Sequence, residues 1–310
     1  MSVLIAGSTG LAGSAITKAF ESKGEKVIRV NRSIVDLMDF AATKKLLKSM
    51  QPKLVVDAAA KVGGIGANNT KPVEFLANNL QIQNNLMQSA FEAGVEKFVF
   101  LGSSCIYPRN CEQPIKEEFL MTGPLEQTNS AYAVAKITGI EMINSYRKEY
   151  GLNWISLMPT NLYGPGDNFN LSESHVLPAL IRRFVEAEAS DAKEVTLWGT
   201  GSPLREFLHV DDLASSVVMA SESYNESLHL NVGTGRDLSI KALAELIAHE
   251  TGFKGDIKWD SSKPDGTPRK VLDVSRITSM GWKPAISLEE GVASTITWFK
   301  EAVRKGEARL

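Results

Sequence analysis

Tyr132 and Lys136, in Tyr132-Ala133-Val134-Ala135-Lys136, are spaced to share one face of a helix. On that face the lysine cation is expected to lower the phenol's pKa and make Tyr132 a usable proton donor and acceptor. Such a pair is common on helix surfaces and carries little by itself. Ser103 gives it meaning. In Leu101-Gly102-Ser103-Ser104-Cys105-Ile106-Tyr107-Pro108 it ends an apolar strand upstream of the tyrosine, where its hydroxyl can polarise a carbonyl opposite Tyr132. An earlier tract, Gly7-Ser8-Thr9-Gly10-Leu11-Ala12-Gly13, follows the first apolar run and opens a helix, the position of a pyrophosphate-binding turn. Its glycines allow a tight turn, approach of phosphates to backbone, and close helix–strand packing. The next strand ends Val30-Asn31-Arg32-Ser33, with no carboxylate for an NAD ribose and with Arg32 placed to meet a 2′-phosphate. NADP(H) is therefore the expected cofactor; a solvated surface role for Arg32 is the competing reading.

These groups need a scaffold that brings strand ends together. Short β-branched runs at 3–6, 26–30, 54–56, 97–101 and 154–158 alternate with helical patterns reaching to about 22 and 50 and over 72–93 and 131–150. Alternation of this kind predicts an α/β fold, a Rossmann-type doubly wound parallel sheet covered on both faces. The turn formers Tyr163-Gly164-Pro165-Gly166-Asp167-Asn168 mark a change of organisation. The reading places an NADP-binding domain at 1–163, with part of about 205–237 returning to its sheet. A smaller mixed α/β substrate domain takes about 164–204 and 238–310, including a strand at 228–231 and helices at 239–251 and 288–303.

Composition narrows the function classes. The 310 residues are 43% hydrophobic and 23% charged, an ordinary globular balance, and the net charge of -2 offers no field for a nucleic acid. No run approaches the roughly 20 apolar residues of a membrane helix. The start, Met1-Ser2 followed by Val3-Leu4-Ile5-Ala6, lacks the features of a secretory signal. Two cysteines, Cys105 and Cys111, make neither a disulfide framework nor a four-cysteine zinc site, and a reducing cytoplasm is expected. No HxxxH pair or carboxylate cluster argues for a metal. His209, which precedes the helix-capping candidates Asp211 and Asp212, His229 in a strand and His249 on a helix are read as structural.

Taken in order, the glycine turn, the serine and the YxxxK pair resemble the extended short-chain dehydrogenase/reductase superfamily. Further tracts narrow the likeness: Ala59-Ala60-Lys61-Val62-Gly63-Gly64-Ile65, the tract around Ser103, Pro159-Thr160-Asn161-Leu162-Tyr163-Gly164-Pro165, Arg205-Glu206-Phe207-Leu208-His209-Val210-Asp211-Asp212 and Lys263-Pro264-Asp265-Gly266-Thr267-Pro268-Arg269-Lys270. Over nearly the whole chain they resemble the GDP-L-fucose synthase family. The resemblance implies epimerisation of GDP-4-keto-6-deoxy-D-mannose at carbons 3 and 5, then reduction of the carbon 4 ketone with NADPH. It implies Cys105 as base and His175, in Ser174-His175-Val176-Leu177-Pro178, as acid, beside Ser103, Tyr132 and Lys136. Cofactor contacts are implied for residues 7–13 (Gly7, Ser8, Thr9, Gly10, Leu11, Ala12, Gly13), Arg32, Leu101, Gly102, Ser103, Ser104, Lys136, Pro159, Thr160, Asn161, Leu162 and His175. Substrate contacts are implied for Arg183, Trp198, Arg205 and Asp265, with Arg182 pointing elsewhere on its helix. A homodimer through helices at 79–93 and 133–150 is implied as well. Many relatives carry an arginine where this chain has Thr9, so NADPH selectivity is expected to lean on Arg32.

Rival functions differ at identifiable residues. A 4,6-dehydratase of the same scaffold needs an acidic residue or Asp-Glu pair after the serine, where Ser104-Cys105-Ile106 stands instead. A simple 4-epimerase has no use for Cys105 with His175. A non-catalytic NADP-binding sensor commonly lacks the tyrosine or lysine, and both are present here.

Overall fold

The computed structural model describes residues 1–263 and 265–310. Its elements, in chain order, are β1 (Ser2–Ala6), α1 (Leu11–Ser22), β2 (Lys26–Val30), α2 (Phe40–Met50), β3 (Leu54–Asp57), α3 (Ile65–Thr70), α4 (Pro72–Glu92), β4 (Lys97–Leu101), α5 (Ser130–Tyr150), β5 (Ile155–Pro159) and β6 (Asn161–Tyr163). The second half adds α6 (Val176–Ala189), β7 (Glu194–Trp198), β8 (Leu204–His209), α7 (Val210–Ser223), β9 (Leu230–Val232), β10 (Asp237–Ser239), α8 (Ile240–Thr251), β11 (Asp256–Asp260), β12 (Arg269–Lys270), α9 (Ser275–Ser279) and α10 (Leu288–Lys305).

Six parallel strands form the central sheet in the order β2-β1-β3-β4-β5-β9. The chain builds outward from β1 in one direction and then, from β3, in the other, so a crevice opens at the strand ends between β1 and β3. Parallel strands covered on both faces must be apolar on both, and β4 and β5 are buried at every position. Val3, Ile5, Val56 and Val99 face the core under α1 and α7. Leu4, Val55, Phe98 and Phe100 face the opposite core under α2, α4 and α5.

After Pro159 the chain leaves this sheet, and a third core gathers Phe169, Leu180, Phe184, Val195, Leu243, Ile247 and Phe299 among α6, α8, α10 and β7. β8 pairs with β6, β10 and β12, while β9 adds to the central sheet beside β5. His229 lies just before β9 rather than in it. Helix ends follow local chemistry: Ser287 and Glu290 form a reciprocal capping box on α10, and Gly151 closes α5 at φ 68°. Among the described residues no helix is long and apolar enough to cross a membrane.

α5 lies unusually close to the sheet because Gly139 rests on Phe100. A methyl group on Gly139 would sit 2.2 Å from that ring. Gly139→Ala is expected to lower stability by about 1–3 kcal/mol through overpacking, where an open helical site would gain up to about 1 kcal/mol. Urea unfolding of the two proteins gives the sign directly.

Candidate functional site

The turn between β1 and α1 is folded tightly against the end of β3. Gly7 has φ 77°, and a Cβ there would lie 2.7 Å from the Ala58 carbonyl oxygen; one on Gly13 would lie 2.1 Å from that of Gly7. Gly10 caps α1 without any side chain, which leaves the amides of the first turn free to meet an anion. Ser8 donates its N–H and its hydroxyl to the Val30 carbonyl at 3.0 and 3.1 Å, tying the turn to the end of β2. Beyond β2, Asn31 Oδ1 accepts the Ser33 N–H at 2.9 Å and hydroxyl at 2.6 Å; Arg32 on that turn and Thr9 on the glycine turn are both exposed. A bare-backbone cradle with an accessible guanidinium at its edge fits the diphosphate and ribose end of a dinucleotide.

At the next strand ends, Ser103 caps a short 3-10 turn, Ser104–Ile106, and its Oγ accepts the Cys105 N–H at 3.4 Å, which keeps its own proton available. Gly102 has no room for a side chain, with Met158 Sδ 2.2 Å from the site of a Cβ. Tyr107 pins this turn to the edge of the sheet by hydrogen bonds to His229 and to Asn231 Oδ1. Pro159 to Leu162 cross from β5 to β6, held by Thr160 N–H on Val232 O (3.0 Å) and Asn161 Nδ2 on Glu206 O (2.7 Å).

Lys136 is 3% exposed, and its Nζ donates to the Leu101 carbonyl at 2.8 Å above the Phe100 ring, 4.7 Å from its centroid. Tyr132 meets Phe75 edge to face, with ring centroids 6.4 Å apart. The expected lowering of its pKa by Lys136 is not what the structure gives. The ammonium turns to Leu101, 5.8 Å from the Tyr132 ring centroid, and the phenol is pushed well up by burial, then by the charges of Cys105 and Asp57. In the protein alone Tyr132 is a proton donor.

His175 caps α6 without a side-chain capping bond, so its imidazole is not spent on the helix start. Its placement depends on a glycine. Gly64 N–H donates to Glu173 O at 2.7 Å, and a Cβ on Gly64 would lie 2.5 Å from Ser174 O, so the segment leading to His175 docks on bare backbone. Asn79 Oδ1 and Nδ2 hold both backbone groups of Lys61, at 2.8 and 3.0 Å, and steady that glycine loop on α4. His175 is exposed at the start of α6; desolvation by the surrounding protein and then nearby Lys270 hold its pKa below the usual value.

The arginine predicted for a diphosphate acquires a neighbour that the sequence reading passed over. Arg205 and Lys270 are register partners on β8 and β12. Burial lowers the pKa of each, opposed by Asp265 at Arg205 and first by Cys105 at Lys270. Two cations opposite one another on adjacent strands repel unless an anion joins them. Asp265 binds Thr200 through its N–H (2.7 Å) and hydroxyl (2.8 Å), next to Trp198, which is 69% exposed. Arg183 is half-buried on α6 about two turns beyond His175. Arg182 turns away to Glu186 Oε1 (2.7 Å) and Phe169 O (3.2 Å). Pro264 of the quoted tract lies outside the described residues.

The other histidines have local partners. His209 itself caps α7, its Nδ1 accepting the Asp211 N–H at 3.2 Å, while the expected cap Asp212 binds the N–H groups of Ala285 (2.9 Å) and Ile286 (3.1 Å). His229 bonds Tyr107 at 2.9 Å, and His249 bonds Glu250 at the surface. Asp57 and Glu206 are buried carboxyls that the sequence reading did not single out. The signal for Asp57 was a charge ending an apolar strand; that for Glu206 was a charge inside one.

Residues 3–233 match the family described as NAD dependent epimerase/dehydratase. A "Probable GDP-L-fucose synthase 1" of Oryza sativa subsp. japonica is 54% identical, covering 97% of this chain and 92% of the relative. A "GDP-L-fucose synthase" of Escherichia coli (strain K12) is 49% identical, with 96% of each covered. Among solved structures, a GDP-L-fucose synthetase from Naegleria fowleri bound to NADP superposes with a TM-score of 0.91 at 29% identity, covering 100% of this chain and 95% of that one.

Glu206 holds the parts of the site in register. Its Oε1 accepts the N–H groups of Thr234 (2.6 Å) and Gly235 (2.8 Å), and its Oε2 that of Leu272 (2.8 Å), so β8, the loop after β9 and the segment after β12 share one carboxylate. Glu206→Ala leaves three N–H groups without their acceptor and is expected to cost at least about 3 kcal/mol. Thermal and urea denaturation measure the loss.

Proposed function

The chain belongs to the NAD dependent epimerase/dehydratase family, and from this membership and its relatives we infer that it is a GDP-L-fucose synthase. It converts GDP-4-keto-6-deoxy-D-mannose to GDP-L-fucose by epimerising carbons 3 and 5 and reducing the carbon 4 ketone. The observation that carries this reading is that Cys105 follows Ser103 in one tight turn at the end of β4, where Lys136, one helical turn beyond Tyr132, donates to the Leu101 carbonyl at 2.8 Å, while His175 stands at the start of α6 with its imidazole free of the helix cap. A reductase alone needs only Tyr132 with Lys136; an epimerase acting next to a ketone needs Cys105 and His175 as well.

The cofactor, when bound, supplies a hydride, and we assign NADPH because Arg32 flanks the glycine turn where a 2′-phosphate would lie. The protein's own groups do the rest. Arg205, Lys270 and Arg183 take the diphosphate, with Trp198 and Asp265 against the remainder of the nucleotide sugar. Ser103 and Tyr132 donate to the carbon 4 oxygen and stabilise the enolate that forms when Cys105 removes the proton from carbon 3 or 5. His175 returns a proton from the other face of the ring. Lys270 opposes the protonation of His175 in the free protein, and a bound diphosphate cancels that charge. Once both centres are inverted, Tyr132 gives its proton to the alkoxide as carbon 4 is reduced.

The same reading gives a cytoplasmic homodimer. α4 and α5 pack side by side on one face of the sheet, and α5 presents a shallow groove outward, lined by Met142, Tyr146 and Tyr150 among other residues. Two such faces together would make a four-helix interface.

Incubation with GDP-4-keto-6-deoxy-D-mannose and NADPH should yield GDP-L-fucose, identified by NMR. In deuterated water, Cys105→Ser should slow deuterium entry at carbons 3 and 5 by about 100-fold or more, while the unepimerised ketone is still reduced. Exchange at the parental rate would remove Cys105 from the mechanism. Arg32→Asp should weaken NADPH binding by about 10-fold or more and leave NADH binding much less affected. Fluorescence titration with both nucleotides separates a phosphate contact from general damage.

A further inference from the structure

Asp57 has no part in the mechanism above, yet it lies beside the groups that carry it. It ends β3, in the middle of the sheet between β1 and β4, and is 1% exposed. Its register partner on β4 is Phe100. Paired residues on parallel strands point to the same face, so the carboxylate and the Phe100 ring share the face covered by α4 and α5. Lys136 reaches that same ring from above, its Nζ 4.7 Å from the centroid. Asp57 Oδ1 accepts the Ala59 N–H at 3.1 Å, while Oδ2, also buried, has no hydrogen-bond partner among the described residues.

A carboxylate is an expensive choice for this position. Its neighbours on the face, Ala6, Val55 and Phe100, are apolar core residues, and a leucine would extend them. Burying the charge is tolerable only where a cation answers it. The ionisable groups that interact with it are Lys136 and Tyr132 of α5, which Cys105, in the turn after β4, acts on as well. α4, on the same face, contributes the buried but uncharged Asn79 and Gln83.

We propose that Asp57 is a positioning residue for the reduction, a fixed counter-charge to Lys136 that holds the Tyr132–Lys136 pair with both protons in place. The proposal rests on the reading of Tyr132 as proton donor to the alkoxide. Burial pushes the Asp57 carboxyl up to about 6, with Lys136 and then the Ala59 N–H pulling it back, so it is ionised at neutral pH. Burial lowers the pKa of Lys136, and the Asp57 charge opposes that loss. At Tyr132 burial disfavours the anion, and the charges of Cys105 and Asp57 disfavour it further. Neutralising Asp57 therefore lets both protons leave at lower pH, the direction that ends donation early on the alkaline side.

The test is the pH dependence of kcat for NADPH-dependent reduction of GDP-4-keto-6-deoxy-D-mannose by the parent protein and by its Asp57→Asn and Asp57→Leu variants. The alkaline limb should move down by about one pH unit in the variants, the scale of a single nearby charge. KM should be little changed, and kcat on the acid side of the limb should stay near that of the parent. Asparagine keeps the size of the side chain, and leucine suits the apolar face should the buried amide prevent folding; NADPH binding at parental affinity identifies a folded variant. A limb at the parental pH, or a kcat lowered equally at every pH, would overturn the proposal and leave Asp57 a packing residue. A parent protein that fails to turn over the sugar removes the proposed function and this role together. Parental turnover with an unshifted variant removes the role alone.

Discussion

An ammonium group inside a protein has to be met by fixed acceptors, and the Lys136 Nζ is met by the Leu101 carbonyl at 2.8 Å over the Phe100 ring. That contact couples α5 to the end of β4, and much of the catalytic face follows from it. One turn earlier on the helix is Tyr132, whose ring Phe75 fixes edge to face. Immediately after the accepting carbonyl come Gly102 and Ser103, so the hydroxyl and the phenol are referred to one peptide group. Gly139 permits the approach by leaving the underside of α5 bare.

The two groups assigned to proton transfer are held differently. Cys105 belongs to a tight turn fastened to the sheet edge through Tyr107, whose hydroxyl is satisfied by His229 and Asn231. His175 is carried by a segment that docks mainly through main chain, Ser174 lying against Gly64, with an exposed Lys71–Glu173 ion pair beside it. Where backbone meets backbone there is no side chain to trim, so a Cβ at Gly64 would force the segment away. Gly64 therefore serves a histidine more than a hundred residues away in sequence.

What was legible beforehand was whatever leaves a periodic or compositional trace. The alternating apolar runs gave the sheet and its flanking helices, because parallel strands buried on both faces cannot be polar. The glycine turn, Ser103 and the Tyr132–Lys136 spacing were visible as local patterns, and Cys105, His175 and the substrate residues came from resemblance. The direction of the Tyr132 pKa was misjudged because helical spacing fixes which face two residues share, not where a long side chain ends. Lys270 stayed hidden because strand pairing brings it to Arg205, and pairing between distant strands has no local signature. Asp57 and Glu206 were passed over for a related reason: a lone carboxylate in an apolar strand is visible, but its partners are non-local.

The shared carboxylate of Glu206 has a consequence for selectivity. Because it locks β8 to the backbone at Leu272, two residues beyond Lys270, the separation of Arg205 and Lys270 is set by strand register rather than by their own side chains. If the pair takes the diphosphate of a nucleotide sugar, as proposed, the anion is met by two cations whose interval does not adapt to it, and ligands are sorted by whether their own charges match that interval.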